Sequence, residues 1–213
     1  MRNLFLTCFT LFFCQLAVAA PAIIPAPPAI ASSGYILMDA QSGKVITEHN
    51  ADEQLPPASL TKLMTSYVLS YELEQGNVAN SDLVTISKAA WAQNPVFAGS
   101  SLMWIEVGKQ VELGELHKGV VISSGNDATV ALAEHIAGSV DAFADVMNQH
   151  AQLLGMNSSH FMNPHGLTHD DHYTTARDMA RLAQATIIDF PERYKLYAMK
   201  SFTYNNIKQT NRN

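Results

Sequence analysis

Two consecutive prolines, Pro56 and Pro57, constrain this chain more than any other feature. Each fixes its own φ and pushes the residue before it out of the helical region, so no helix can run through from upstream. Directly afterwards Leu60, Leu63, Met64, Tyr67, Val68 and Tyr71 recur at helical spacing, and Gly76-Asn77 supplies a stop. The pattern predicts a helix over 59–75 whose start is set by the prolines. Ser59 and Lys62 fall in its first turn.

The remaining elements follow from similar punctuation. Tyr35 to Asp39 and Val45 to Glu48 alternate like strands around Gln41-Ser42-Gly43-Lys44, which predicts a β-hairpin. Val84-Thr85-Ile86 reads as a short strand, and Ser201 to Tyr204 as the start of another. Helices are expected over 115–122 and 126–137, joined at Ser123-Ser124-Gly125, then over 141–154, stopped at Gly155, and over 174–188, ended by Pro191. Residues 156–172 read as a long ordered loop rich in Asn, His, Gly and Ser. Apolar residues make up 47% of the chain and charged residues 15%, enough to build a core and too apolar for wholesale disorder. The formal net charge of −6 and the lack of a long basic run argue against nucleic acid as a partner.

The first residues read as a processing signal. Arg2 supplies a positive charge, Leu4 to Ala19 is nearly all apolar, and Ala17-Val18-Ala19 is a small-x-small cleavage site. Residues 1–19 are therefore expected to be a signal peptide, 20–31 a Pro/Ala-rich linker, and 32–213 the globular domain. An uncleaved anchor is the alternative; a lipoprotein anchor at Cys14 is disfavoured by the bulky Phe13 before it. Both cysteines, Cys8 and Cys14, lie inside the signal, so the mature chain has no disulfide and no cysteine nucleophile. An exported, cysteine-free protein of this kind is expected in the periplasm or cell envelope.

Ser59 and Lys62 stand three residues apart, about one helical turn, which puts the amine within reach of the hydroxyl. A serine hydroxyl needs an adjacent base to become a nucleophile. Lysine can be that base only when burial, or the positive end of a helix, drives its pKa well below about 10.4. The Ser59 N–H at the helix start can face a developing oxyanion. Ser-x-x-Lys alone is weak evidence, since serine is a common helix cap and lysine is usually solvated. Lys62, however, is flanked by Leu60, Leu63 and Met64, beside the apolar stripe.

The second element is Ser124-Gly125-Asn126, well downstream between two helical stretches. Ser124 can relay a proton between Lys62 and a leaving amine, and Asn126 offers both a donor and an acceptor to a substrate amide. By itself this is also ordinary turn and cap chemistry. Together, Ser-x-x-Lys followed by Ser-x-Asn is the penicillin-binding protein and serine β-lactamase signature. The surrounding sequence resembles the low-molecular-mass D-alanyl-D-alanine carboxypeptidases, the serine peptidase S11 family. The resemblance lies in Gly99 to Met103, Leu116 to Val121, Ser124 to Ala128, Leu154 to Met156, Phe161 to Leu167 and Thr175 to Ala180, and runs from about Tyr35 to Asn213.

The resemblance implies an α/β (α+β) fold of the serine β-lactamase type, an antiparallel sheet packed by helices plus a mainly helical lobe. It implies that Ser59 attacks the bond between the two D-alanines of a peptidoglycan stem pentapeptide, that D-alanine leaves, and that water hydrolyses the acyl-enzyme. β-Lactam antibiotics would trap Ser59 as a slow ester. No metal and no organic cofactor is implied.

The match breaks at a third element, Lys-Thr-Gly, which occurs nowhere in the chain; Lys195, Lys200 and Lys208 are not followed by Thr-Gly. The chain is accordingly expected to be C-terminally truncated, lacking the last strands, a β-rich second domain and the C-terminal anchor through which inner-membrane association would come. Such a chain is expected to expose a sheet edge and to be poorly active, with Arg212 a candidate for binding the substrate carboxylate. A class A β-lactamase needs Glu-x-x-x-Asn after Ser-x-Asn; Glu134 and Glu192 do not fit. A DD-endopeptidase uses the same residues and stays open, as does a non-catalytic β-lactam sensor or inactive fragment. Of eight histidines, His160, His165, His169 and His172 cluster without zinc-hydrolase spacing and read as surface loop residues, although the resemblance implies that the Asn-Pro-His-Gly-Leu loop carrying His165 borders the site.

Overall fold

The computed structural model describes residues 26–211. Residues 1–19, expected to be a signal peptide and holding both cysteines, and Arg212 lie outside the described residues. The chain divides into two units at Ile30/Ala31. Of the first, residues 26–30 are exposed and carry no regular element. Every regular element among the described residues lies in the second.

This unit opens on the expected hairpin, β1 (Tyr35–Met38) antiparallel to β2 (Val45–His49), with Tyr35 opposite His49 and Leu37 opposite Thr47. The turn is closed by the Asp39 carboxylate, which accepts from the Ser42 N–H (2.8 Å) and hydroxyl (2.5 Å). Gly43, at φ +70°, supplies a left-handed step. A 3-10 turn, Ala58–Leu60, then leads into α1 (Thr61–Glu74). Gly76, at φ +73°, ends that helix. The next strand, β3 (Leu83–Thr85), pairs antiparallel with β4 (Gln110–Glu112), a three-residue partner too short to show any alternation in the sequence.

Four further helices match the sequence reading to within a residue or two. They are α2 (Leu113–Ser123), α3 (Asn126–Ala137), α4 (Val140–Leu153) and α5 (Ala176–Asp189). Their ends are chemically marked: the Ser139 hydroxyl accepts from Ala142 N–H, the Thr175 hydroxyl accepts from Asp178 N–H, and Gly138 ends α3 at φ +81°. Pro191 begins rather than merely forbids structure: it is the first residue of a short helix, α6 (Pro191–Tyr194), followed by a 3-10 turn, Lys195–Ala198. The strand expected at Ser201 is β5 (Ser201–Tyr204), and it turns back through Asn205 and Asn206 into β6 (Ile207–Thr210). Both asparagines have positive φ, +47° and +61°, the requirement of a tight hairpin.

The architecture is the expected combination of antiparallel strands and packing helices. Among the described residues the strands form three separate two-stranded ladders rather than one continuous sheet. β1 packs on α5, and β5 and β6 on α2. Leu37 and Ile46, on β1 and β2, remain 54% and 63% exposed, so the hairpin carries apolar side chains that no other strand among the described residues covers.

α1 holds the unit together. Met64 to Ser70 are all buried, and the helix contacts α2, α3, α4 and α5. Leu69 belongs to a core built with Ile86, Phe97, Met103, Leu116 and Leu132, whereas Met64 and Val68 join a second with Phe143, Met147, Phe161 and Leu182. A helix buried on every side must also satisfy its polar residues. The Thr65 hydroxyl donates to the Pro164 carbonyl (2.7 Å), Ser66 Oγ pairs with His117 Nε2 (2.7 Å), and the Ser70 hydroxyl donates to the Ser66 carbonyl (2.7 Å). Among the described residues no helix is long and apolar enough to cross a membrane.

Candidate active site

Ser59 is exposed at the N-terminal end of α1. It lies in the 3-10 turn, two residues before the α-helix proper begins. The spacing argument survives, because residues i and i+3 stack even more directly in a 3-10 turn. Ala58, just before it, has φ +46°, a left-handed backbone that is unfavourable for a residue with a Cβ. Gly166 lies against this turn so closely that a Cβ there would collide with the Ala58 carbonyl. The strained step leaves the Ser59 side chain exposed.

Lys62 is the opposite case. It is only 5% exposed, and its Nζ donates to Ser59 Oγ (3.2 Å) and to the His165 carbonyl (2.7 Å). Burial lowers its pKa from 10.5 to about 8, while the negative Asp127 pulls weakly the other way. An amine with that pKa is partly neutral near neutral pH, and its lone pair can then face the Ser59 hydroxyl.

The Ser124-Gly125-Asn126 corner forms the junction between α2 and α3. Ser124 adopts a left-handed conformation, φ +57°, and Gly125 permits the tight approach of Met103, whose backbone nitrogen would lie 2.9 Å from an added Cβ. Ser124 lines the same cavity of about 860 Å3 as Ser59 and Lys62, with Leu63, Val121 and Ile187 among its apolar walls. Asn126 is 4% exposed at the start of α3 and is not part of that cavity's lining; its N–H donates to the Ser101 carbonyl (2.9 Å).

Three contributors escaped the sequence reading. Asp127, fully buried, accepts from four backbone N–H groups: Met103 (2.8 Å), Trp104 (2.8 Å), Ile105 (3.1 Å) and Ala128 (2.9 Å). Burial pushes its pKa up, against the lowering effect of those bonds. It thereby clips residues 103–105 to the Ser-Gly-Asn corner. The second is the His165 carbonyl opposite Lys62: its loop borders the site as the resemblance implied, but this contact was not foreseen. The third is His172, expected at the surface but 4% exposed and bonded through Nε2 to Thr61 Oγ1 (2.8 Å). The loop is folded back on α1, and its histidines serve different ends: His169 is exposed and His165 half-buried, with a pKa lowered to about 4 by burial, Lys62 and His172. Among the described residues no three His, Cys, Asp or Glu side chains are grouped to hold a metal.

Comparison with known proteins points the same way. The family described as Peptidase S11, D-alanyl-D-alanine carboxypeptidase, matches residues 21–213. The chain is 49% identical over 187 residues to D-alanyl-D-alanine carboxypeptidase DacA of Haemophilus influenzae, covering 88% of this chain and 47% of the relative. It is 50% identical over 192 residues to the Escherichia coli K12 protein of the same name, covering 90% and 48%. The chain therefore spans about half the length of the curated relatives it matches. Its fold superposes with a TM-score of 0.86 on penicillin binding protein 5 from Haemophilus influenzae, at 47% identity, covering 88% of this chain and 54% of that one. With the family match extending over nearly every residue, the chain belongs to the peptidase S11 family of D-alanyl-D-alanine carboxypeptidases.

Proposed function

We propose that this chain is the Ser59-bearing part of a serine DD-carboxypeptidase that removes the terminal D-alanine from peptidoglycan stem pentapeptides through an acyl-enzyme. The observation that carries this reading is the buried Lys62 amine, 3.2 Å from an exposed serine hydroxyl. Lys62 takes the Ser59 proton as Oγ bonds to the carbonyl carbon between the two D-alanines. The negative charge developing on the carbonyl oxygen falls near the Ser59 N–H. As the tetrahedral species collapses, the C–N bond breaks and the proton passes from Lys62, by way of Ser124, to the departing amine. Water then hydrolyses the serine ester and regenerates the hydroxyl. Asn126 is assigned to the substrate amide and Arg212 to its carboxylate. β-Lactams present a similar amide and are expected to acylate Ser59. Residues 1–19 would direct the chain across the inner membrane and the domain from 32 onward would work in the periplasm, consistent with relatives named as penicillin-binding proteins.

The test incubates the protein with a labelled penicillin and, separately, with a pentapeptide ending in D-Ala-D-Ala. Long-lived label together with D-alanine release, both absent in Ser59→Ala, is the expected result. Label retained by Ser59→Ala would overturn the nucleophile. Rapid penicillin turnover without D-alanine would point to a β-lactamase instead, and cleavage confined to cross-linked peptides to an endopeptidase.

A further inference from the structure

The 160–173 loop provides the carbonyl that faces the Lys62 amine, so its distance from α1 matters to the chemistry. One end of that contact is held by Thr65, whose hydroxyl donates to the Pro164 carbonyl beside His165. The far end is held by His172, which uses both ring nitrogens. Met162 N–H donates to Nδ1 (3.1 Å), so Nδ1 bears the lone pair. In the neutral ring Nε2 then carries the hydrogen and donates to Thr61 Oγ1 (2.8 Å). The ring also stands edge-on to Phe161, with centroids 5.8 Å apart. Thr61 is the residue immediately before Lys62, and a Cβ on Gly166 would come within 2.9 Å of its hydroxyl. The histidine thus grips α1 one residue from the amine, and the loop it grips runs back to His165.

The ring is suited to stay neutral. A second proton would have to sit on Nδ1, facing the Met162 N–H. Burial lowers the His172 pKa to about 4, with His160 and His169 on the same loop adding to the effect. Lys62 and His165, which meet where the loop packs on α1, are likewise held toward their neutral forms, with Asp127 opposing the shift at Lys62.

We propose that His172 is a positioning residue for Lys62: by bridging Met162 N–H and the Thr61 hydroxyl it holds the loop on α1, so that the amine stays covered and aimed at Ser59. The inference rests on the Ser59–Lys62 reading above. Phenylalanine at 172 keeps the packing and loses both hydrogen bonds. Glutamine has an amide oxygen and nitrogen spaced much like the two ring nitrogens and can restore both.

The test reads the Lys62 amine directly, by NMR titration of protein labelled with [ε-13C]lysine, with Lys62→Met assigning the signal. Wild type and His172→Gln are expected to titrate near pH 8. His172→Phe, folded by circular dichroism, is expected to titrate about one pH unit higher or more, as solvent reaches the amine. Thr61→Val, which removes the other partner, should move it the same way and serves where His172→Phe does not fold. The inference is overturned if both folded variants titrate within about 0.3 of wild type, or if His172→Gln shifts as far as His172→Phe. Penicillin labelling of wild type and Ser59→Ala in parallel keeps the two readings apart. Label on Ser59→Ala would remove the proposed nucleophile while the titration still decides His172.

Discussion

Replacing Lys62 with methionine isolates the energetic consequence of burying its amine. Methionine keeps an unbranched side chain of similar length and removes the charge. The lysine pKa falls from 10.5 to about 8 in the folded protein. Each tenfold change in a protonation equilibrium is worth about 1.4 kcal/mol, so carrying the ammonium in this site costs about 3 kcal/mol relative to water. The folded protein releases the proton near pH 8, whereas the unfolded chain holds it to about 10.5. Between those values the unfolded state binds more protons, and stability rises with pH. The gain is complete above 10.5 and lost as pH falls through 8. Wild type is expected to gain about 3 kcal/mol across this window, and Lys62→Met none from this group. A second effect does not depend on pH: the variant leaves the His165 carbonyl without its donor, at about 1–3 kcal/mol. The two proteins should therefore be nearly equal in stability at pH 7, with wild type pulling ahead as pH rises. Urea unfolding followed by the fluorescence of Trp91 and Trp104 at pH 7, 8.5 and 10 measures the difference, and the titrations of groups that do not interact with Lys62 cancel in it. A difference that stays flat to within about 0.5 kcal/mol over that range would refute the buried-amine argument.

Other expectations follow from the same contacts. His117, His165 and His172 are each held at about 4, burial being the first cause, so the folded state resists protons that the unfolded chain accepts below about 6.5. Stability should fall as pH drops from 6.5 toward 4; urea midpoints unchanged between pH 7 and 4.5 would contradict this. Asp127→Asn keeps the shape but can accept at only one side-chain atom, stranding buried N–H groups among residues 103–105. A loss of at least about 2 kcal/mol is expected in urea unfolding. Removing the Asp127 charge should also lower the pH at which Lys62 titrates, since that carboxylate holds the amine's pKa up. Gly166→Ala places a methyl group against the Ala58 carbonyl at a φ of +89°. A fall in Tm of several degrees and slowed penicillin acylation are expected, and a variant that matched wild type in both would show that this close approach does not shape the site.

What was legible in the sequence, and what was not, divides along chain separation. α1 could be read because Pro57 and Gly76 bound it and its apolar positions repeat within it; the same holds for α4, between Ser139 and Gly155. Ser59 and Lys62 were legible as a pair because one helical turn joins them. β4 and β6 were not, the one being three residues long and the other polar along most of its length. The Asp127 clip reaches 22 to 24 residues upstream, the His165 carbonyl meets Lys62 across 103 positions, and His172 meets Thr61 across 111. No local period encodes such contacts, and each involves a buried polar group for which sequence habit predicts exposure. That bias is informative. A core assembled from apolar contacts alone would tolerate small shifts between the 160–173 loop and α1, whereas hydrogen bonds fail over a fraction of an ångström. The serine-lysine pair needs its amine both dry and aimed. The residues that satisfy this demand are polar groups fastened across the fold, which is where reading one chain segment at a time gives the least warning.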